Sequence, residues 1–402
     1  MKTARGRRLT EKFMTPQQAA EKWGISRRTV RQYLDGGRIP GIVKMNGRTL
    51  IPSNAQKPND LRTRKNRSSY SDSASDPFVL TTSAFEPGQA EEYIKSVDSE
   101  MKQTIGFAEL SYLRGEPLRA CELCKNLNSN GSTEIRLAAL LIDLLSSLLK
   151  SEGATPFNNF RDLQTIAKIA AEHPKYKKTG ELFGLYLNII VNNRGDIVFP
   201  ETGIDAFAMP GGLKPMAVYA YSRWLMLQEN NGRAIGLAEG ALIFIRDIYP
   251  IQSIYLSLTI ADGYIISGNW EKAEYYFRYA WSLAKPDGII APFAEFRYML
   301  SGLLEKCLRK DEPDIYKKIL DLSTVYLKNW ISIHNILTGD TVTSKLSPTE
   351  FNVAMLAARG MPNTDIADRI NISVNSVRTH LRNIFNKLGV NSRKELLDFV
   401  IH

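Results

Sequence analysis

Residues 346–400 carry helix-start and helix-stop signals so closely spaced that they admit one reading, four short helices in succession. Ser347-Pro348-Thr349-Glu350 is a capping box with proline at the first helical position. Phe351, Met355 and Leu356 follow at helical spacing, and Gly360 can close that helix. Asn363 can cap a second helix carrying Ile366, Ala367 and Ile370. Ser373 can cap a third, which runs to Leu388 and stops at Gly389. Ser392-Arg393-Lys394-Glu395 is another capping box, opening a last helix with Leu396, Leu397 and Val400.

The third of these helices is two-faced. Val374, Val377, Leu381, Ile384 and Leu388 are three and four apart, so they share one side and face a core. The other side carries Asn375, Arg378, Thr379, Arg382 and Asn386, with two guanidinium groups one turn apart. Arginine forks match guanine edges and phosphates, and an α-helix fits the major groove of DNA. A short helix, a tight turn and then such a helix is the logic of a helix-turn-helix. An ordinary solvated helix face would also be polar, and this helix alone does not separate the two.

The whole stretch resembles the LuxR-type (GerE-type) C-terminal DNA-binding domain. The resemblance is carried by Leu346 to Glu350, Leu356 to Gly360, Asn363, Ile366-Ala367, Ile372-Ser373, Ser376 to Arg378, His380-Leu381, Asn383-Ile384, Lys387 to Val390 and Arg393, without gaps. It implies that the helix from Val374 to Leu388 enters the major groove. The candidate DNA contacts on it are Asn375, Arg378, Thr379, Arg382, Asn386 and Lys387. It also implies dimerisation through the last helix. Thr349 departs from the family, which usually has arginine there, but it lies away from the reading helix.

The charge distribution points the same way. The net charge of +10 divides into +13 for residues 1–70 (17 Lys/Arg against 4 Asp/Glu), +3 for 345–402 (8 against 5) and −6 for the remainder. Basic ends around an acidic centre are the expected footprint of polyanion-binding termini; a solvated basic tail at Met1–Lys12 is the plainer alternative. Three cysteines in 402 residues argue against a disulfide framework and fit a reducing cytoplasm. No apolar signal core follows the basic N-terminus. The longest apolar run, Leu137 to Leu149, is broken by Asp143 and too short to span a bilayer. It reads as a buried helix.

The front of the chain has its own punctuation. Thr15-Pro16-Gln17-Gln18 is a capping box, Ala19, Ala20 and Trp23 give a small apolar face, and Gly24 ends that helix. Ile25-Ser26 opens a second helix, with Val30, Tyr33 and Leu34 inward and Arg27, Arg28 and Arg31 outward. Ile42 to Met45, Asn46-Gly47 and Arg48 to Ile51 then read as a hairpin. Helix, turn, helix and hairpin make a winged helix. This stretch resembles the excisionase/MerR-like winged helix-turn-helix through Thr15, Ala19-Ala20, Trp23 to Ser26, Arg28 to Val30, Gly37 to Pro40, Gly47-Arg48 and Ile51-Pro52. The resemblance implies that Arg27, Arg28 and Arg31 approach a groove while Arg48 on the wing meets backbone or the minor groove. A docking module is the alternative.

A Ser-, Asn-, Lys- and Pro-rich tether without apolar periodicity follows to Pro77. From Phe78 onward helical spacing dominates. Ala261 and Tyr264, the turn Gly268-Asn269, then Ala273, Phe277 and Ala280, with Pro286 just past the end, match the tetratricopeptide pattern. A degenerate copy lies at Ala108, Gly115, Ala120 and Cys124, and a weaker one at Gly232 to Ala238. Cys121-Glu-Leu-Cys124 lacks a second ligand pair for a metal, and Cys124 falls where Phe277 falls in the other copy, so a buried cysteine is the better reading. Tyr275 and Tyr279 share a face and are the candidate ligand-binding pair. Trp281 to Gly288 and Pro292 to Glu295 resemble the helical sensor region of maltose-activator-like regulators, but no phosphate-cradling G-x-x-x-x-G-K-[ST] loop is present, so ATP-driven switching does not carry over. None of the four histidines, His173, His334, His380 and His402, sits in a catalytic or metal motif.

The sequence therefore predicts a mainly all-α chain: a winged helix-turn-helix over 1–56, a linker over 57–77, a tetratricopeptide-like helical solenoid over 78–340, and a four-helix LuxR-type domain over 341–402. It predicts a cytoplasmic, dimeric regulator of transcription, with no enzymatic activity, no cofactor and no membrane association. The expected partners are double-stranded DNA, a second copy of the chain, RNA polymerase, and a small-molecule, peptide or protein effector. The rival is a repeat-scaffold adaptor whose terminal domains bind proteins.

Overall fold

In the computed structural model the described residues are 13–35, 39, 43–45, 48–53, 55, 57, 77–192, 212–245, 249–300, 302–339, 345–358, 360–370 and 372–400. They belong to two compact units, residues 1–70 and residues 71–402. The basic tail Met1–Lys12, the Asn46-Gly47 turn and the 58–76 part of the linker lie outside the described residues.

The first unit opens with β1 (Phe13–Met14), followed by α1 (Pro16–Trp23) and α2 (Arg27–Asp35). The capping box forms in both directions: Thr15 Oγ1 accepts the Gln18 N–H at 3.3 Å, and Gln18 Oε1 accepts the Thr15 N–H at 2.8 Å. Gly24 ends α1 at φ +63°, a left-handed conformation that costs a residue without Cβ nothing. Ser26 Oγ accepts the Thr29 N–H at 3.1 Å and starts α2. Strands β2 (Val43–Met45) and β3 (Arg48–Pro52) pair antiparallel, with Met45 opposite Arg48, which leaves two residues for the connection. The strand order is β1-β3-β2. Sequence reading missed β1, because two residues are too few to show a period; Met14 is fixed there by packing into a small core with Ala19, Ala20, Val30, Tyr33 and Ile51.

The second unit is helical. Its first part runs α3 (Ala90–Lys95), α4 (Glu100–Leu113), α5 (Pro117–Asn130), α6 (Thr133–Leu149), α7 (Pro156–Glu172) and α8 (Lys177–Ile190). Then come α9 (Leu213–Leu227), α10 (Asn231–Ile245), α11 (Pro250–Ile266), α12 (Trp270–Ala284), α13 (Ala291–Phe296), α14 (Leu303–Leu308) and α15 (Pro313–Thr338). Each of α4 to α7 packs on the helix that follows it, as do α9 to α11. Two helices are apolar nearly all round and are accordingly enclosed by neighbours. The run Leu137–Leu149 lies in α6, which packs against α4, α5, α7 and α15. Helix α11 packs against α9, α10, α12 and α13.

The α11–α12 pair has the local form its spacing predicts. Ala261, Ala273, Phe277 and Ala280 are fully buried, and Gly268 turns the chain at φ +75°. Phe277 meets Phe293 edge-on at 5.5 Å between ring centroids. Ala108, Ala120 and Cys124 are buried in the same way on α4 and α5, with Gly115 at φ +70° between them. Burial pushes the Cys121 thiol up to about 12 and the Cys124 thiol higher still, so both are held protonated and unreactive. Among the described residues no group of His, Cys, Asp or Glu could hold a metal ion, and no helix is long and apolar enough to cross a membrane.

Candidate nucleic-acid interface

The C-terminal helices are α16 (Pro348–Ala358), α17 (Asn363–Ile370), α18 (Val374–Leu388) and α19 (Arg393–Val400). Ser347 and Glu350 close their box reciprocally, Glu350 Oε2 accepting the Ser347 N–H at 2.8 Å and Ser347 Oγ accepting the Glu350 N–H at 3.3 Å. Gly360 and Gly389 take φ of +78° and +70° and end α16 and α18. Ser373 Oγ accepts the Ser376 N–H at 3.0 Å at the start of α18. One expected cap differs. Asn363 is the first residue inside α17, and its side-chain oxygen accepts from the Arg393 guanidinium instead of capping. Arg393 also donates to the Met361 carbonyl, which ties the start of α19 to the turn before α17.

Helix α18 presents the two faces its spacing predicts. Val377, Leu381, Ile384 and Leu388 are buried. Asn375, Arg378, Thr379, Arg382, Asn386 and Lys387 are all exposed. Asn375 Oδ1 accepts from Arg378 Nη1 at 3.2 Å, which holds that guanidinium along the helix surface, and the Thr379 hydroxyl donates back to the Asn375 carbonyl at 3.0 Å. Arg378, Arg382, Asn386 and Arg393 line an open groove of about 590 Å³ beside the helix. Lys387 is different: its Nζ lies 2.6 Å from Glu350 Oε2, a carboxylate only 6% exposed. Burial pushes the Glu350 carboxyl up, but the hydrogen bonds from Lys387 and Ser347 outweigh it and hold the group below its ordinary value. His380 is half-buried on the same helix.

In the first unit Arg27, Arg28 and Arg31 are exposed on α2, beside the buried Val30 and Tyr33. Arg48 opens β3, and its side chain lies outside the described residues. In the helical part Tyr275 is 58% exposed and stands edge-on to Tyr276 at 5.2 Å. Tyr279 is half-buried. A second group of tyrosines, which sequence reading missed, faces a cavity in the interior: Tyr112, Tyr186, Tyr219 and Tyr255, from four different helices. No local spacing signals residues that only the tertiary fold assembles.

Residues 344–400 match the model of bacterial regulatory proteins of the luxR family. The C-terminal domain is a LuxR-family domain. Residues 13–55 match a helix-turn-helix domain model, which covers α1, α2 and the paired strands. Fimbriae Z protein of Salmonella typhimurium is 28% identical over 159 residues, 38% of this chain and 74% of that one. An HTH-type transcriptional regulator of Mycobacterium tuberculosis is 45% identical over 53 residues, 13% of this chain and 6% of that one. Oxygen regulatory protein NreC of Staphylococcus aureus is 31% identical over 84 residues, 20% of this chain and 39% of that one. No solved structure matches the chain. The LuxR family is one of regulators and not of enzymes. The chain thus carries a LuxR-family helix-turn-helix DNA-binding domain at one end and a second helix-turn-helix domain near the other.

Proposed function

We propose that the protein is a sequence-specific regulator of transcription that binds DNA as a homodimer through its LuxR-family domain and senses a ligand or protein partner through its helical middle. The observation that carries this reading is α18. Its apolar side is locked into the domain core, and Arg378, Thr379 and Arg382 are exposed on the other. Arginine and lysine supply salt-dependent attraction to phosphates, whereas arginine, asparagine and threonine on one helix face supply selection at base edges. Arg27, Arg28 and Arg31 offer a second contact with the duplex, joined to the first through the linker. We read the helical hairpins as a tetratricopeptide-like array; the buried small residues of two of them, α4–α5 and α11–α12, support the repeat reading. The protein acts in the cytoplasm, where RNA polymerase is a further partner.

Sites selected by the full-length protein from a random-sequence DNA pool test the dimer. The expected result is a pair of related half-sites whose centres lie about 34–36 Å or a multiple apart. A single unpaired half-site, with a footprint to match, would contradict dimeric reading.

A further inference from the structure

The interior cavity has an unusual wall. The chain just before α3 runs as a strap over the helices, and Phe78 and Thr81 of that strap face the cavity together with Glu109, Gln252 and the tyrosines. Glu109 is buried on α4. Its carboxylate accepts the backbone N–H groups of Val79, Leu80 and Thr81 at 2.8, 2.9 and 2.8 Å. The Phe78 ring stacks on Phe183 at 5.7 Å with an interplanar angle of 8°. Gln252 is also buried; its Nε2 donates to the Thr81 carbonyl at 3.3 Å, while its Oε1, on the cavity wall, has no partner. The free volume is about 30 Å³, room for roughly one water molecule.

We propose that this cavity is a binding site for a small organic amine bearing an aromatic group, and that the strap Phe78–Thr81 holds the site in place of that amine. The strap presents to the helices what such a ligand would present: a cluster of N–H donors on Glu109 and a flat ring on Phe183. A primary ammonium supplies three N–H donors and a positive charge. Two of the donors satisfy the Glu109 oxygens and the third meets Gln252 Oε1. The ring takes the slot of Phe78. A neutral or anionic analogue would strip Glu109 of its donors without supplying a cation, and an uncompensated carboxylate in an apolar interior is costly. Burial already pushes the Glu109 carboxyl up against the pull of the backbone N–H groups it accepts, and a bound cation is what would keep it ionised. This inference rests on the reading of the helical middle as a sensor, and it names the site and ligand class. In the sequence the strap follows directly on the linker that leads from the front helix-turn-helix domain.

Calorimetric titration of the full-length protein with 2-phenylethylammonium chloride tests the proposal, with 2-phenylethanol and 3-phenylpropanoate as neutral and anionic counterparts. Saturable binding of the amine alone is expected. Phe78→Ala empties the ring slot and weakens the strap's competition, so it should bind the amine about tenfold or more tightly than the wild type. Glu109→Gln should lose binding. Absence of amine binding by both the wild type and Phe78→Ala, or equal binding of the alcohol, would overturn the site. Should Glu109→Gln fail to fold, the wild type and Phe78→Ala decide. DNA binding measured on the same samples separates the two readings: intact DNA binding without amine binding removes only the site, and amine binding without DNA binding removes only the regulator.

Discussion

Arg382 and Lys387 stand on adjoining turns of α18, yet their cations do different things. Arg382 projects from the exposed face beside the groove, with no core group to hold. Arg382→Ala should therefore weaken binding to the selected site by roughly 1–3 kcal/mol and leave the unfolding transition in place. Unchanged affinity in a titration against that site would remove its base-reading role. Lys387 instead neutralises Glu350. Lys387→Ala should lower the stability of the C-terminal domain by about 1 kcal/mol, the modest value expected for a half-exposed ammonium. The pH dependence has a definite sign. Glu350 sits below its ordinary 4.5 when folded, so the pair's contribution is present above pH 4.5 and is lost as pH falls through the folded value. Thermal melts from pH 3 to pH 7 should show this loss in the wild type and a flatter profile in Lys387→Ala. Equal slopes would mean that Lys387 is free for phosphate.

At the scale of the element, what was legible from sequence was local. The caps at Thr15, Ser347 and Ser373, the glycine stops at Gly24, Gly360 and Gly389, and the two faces of α18 all depend on residues within four positions of each other. What was not legible depends on distant partners. Asn363 has the side chain of a cap, but Arg393, thirty residues on, takes its oxygen. Lys387 looks like any exposed cation until α16 brings Glu350 to it. The short strand β1 exists only because β3 lies beside it. The four-tyrosine cavity is gathered from α4, α8, α9 and α11. The apolar face of α18 is the element on which the interface stands. Ile384 is fully buried there, and Ile384→Ala should cost about 2–5 kcal/mol. Denaturant unfolding followed by circular dichroism checks it. A loss well under 1 kcal/mol would mean that α18 is not anchored through this residue.

At the scale of the whole molecule, two helix-turn-helix domains flank a helical middle that carries the acidic charge of the chain. If the front domain touches the same DNA, a protein lacking residues 1–56 should give a shortened footprint and a shallower salt dependence, since fewer phosphates are neutralised. An identical footprint would make that domain a contact for something other than this site. The central claim is that α18, propped on its own domain, reads a duplex. Fluorescence anisotropy with the full-length protein and a labelled duplex of its selected sequence tests it most directly. The account predicts saturable binding that weakens linearly in log affinity against log salt and that Arg378→Ala and Arg382→Ala both impair; flat curves at low salt, or variants that bind as the wild type does, would contradict it.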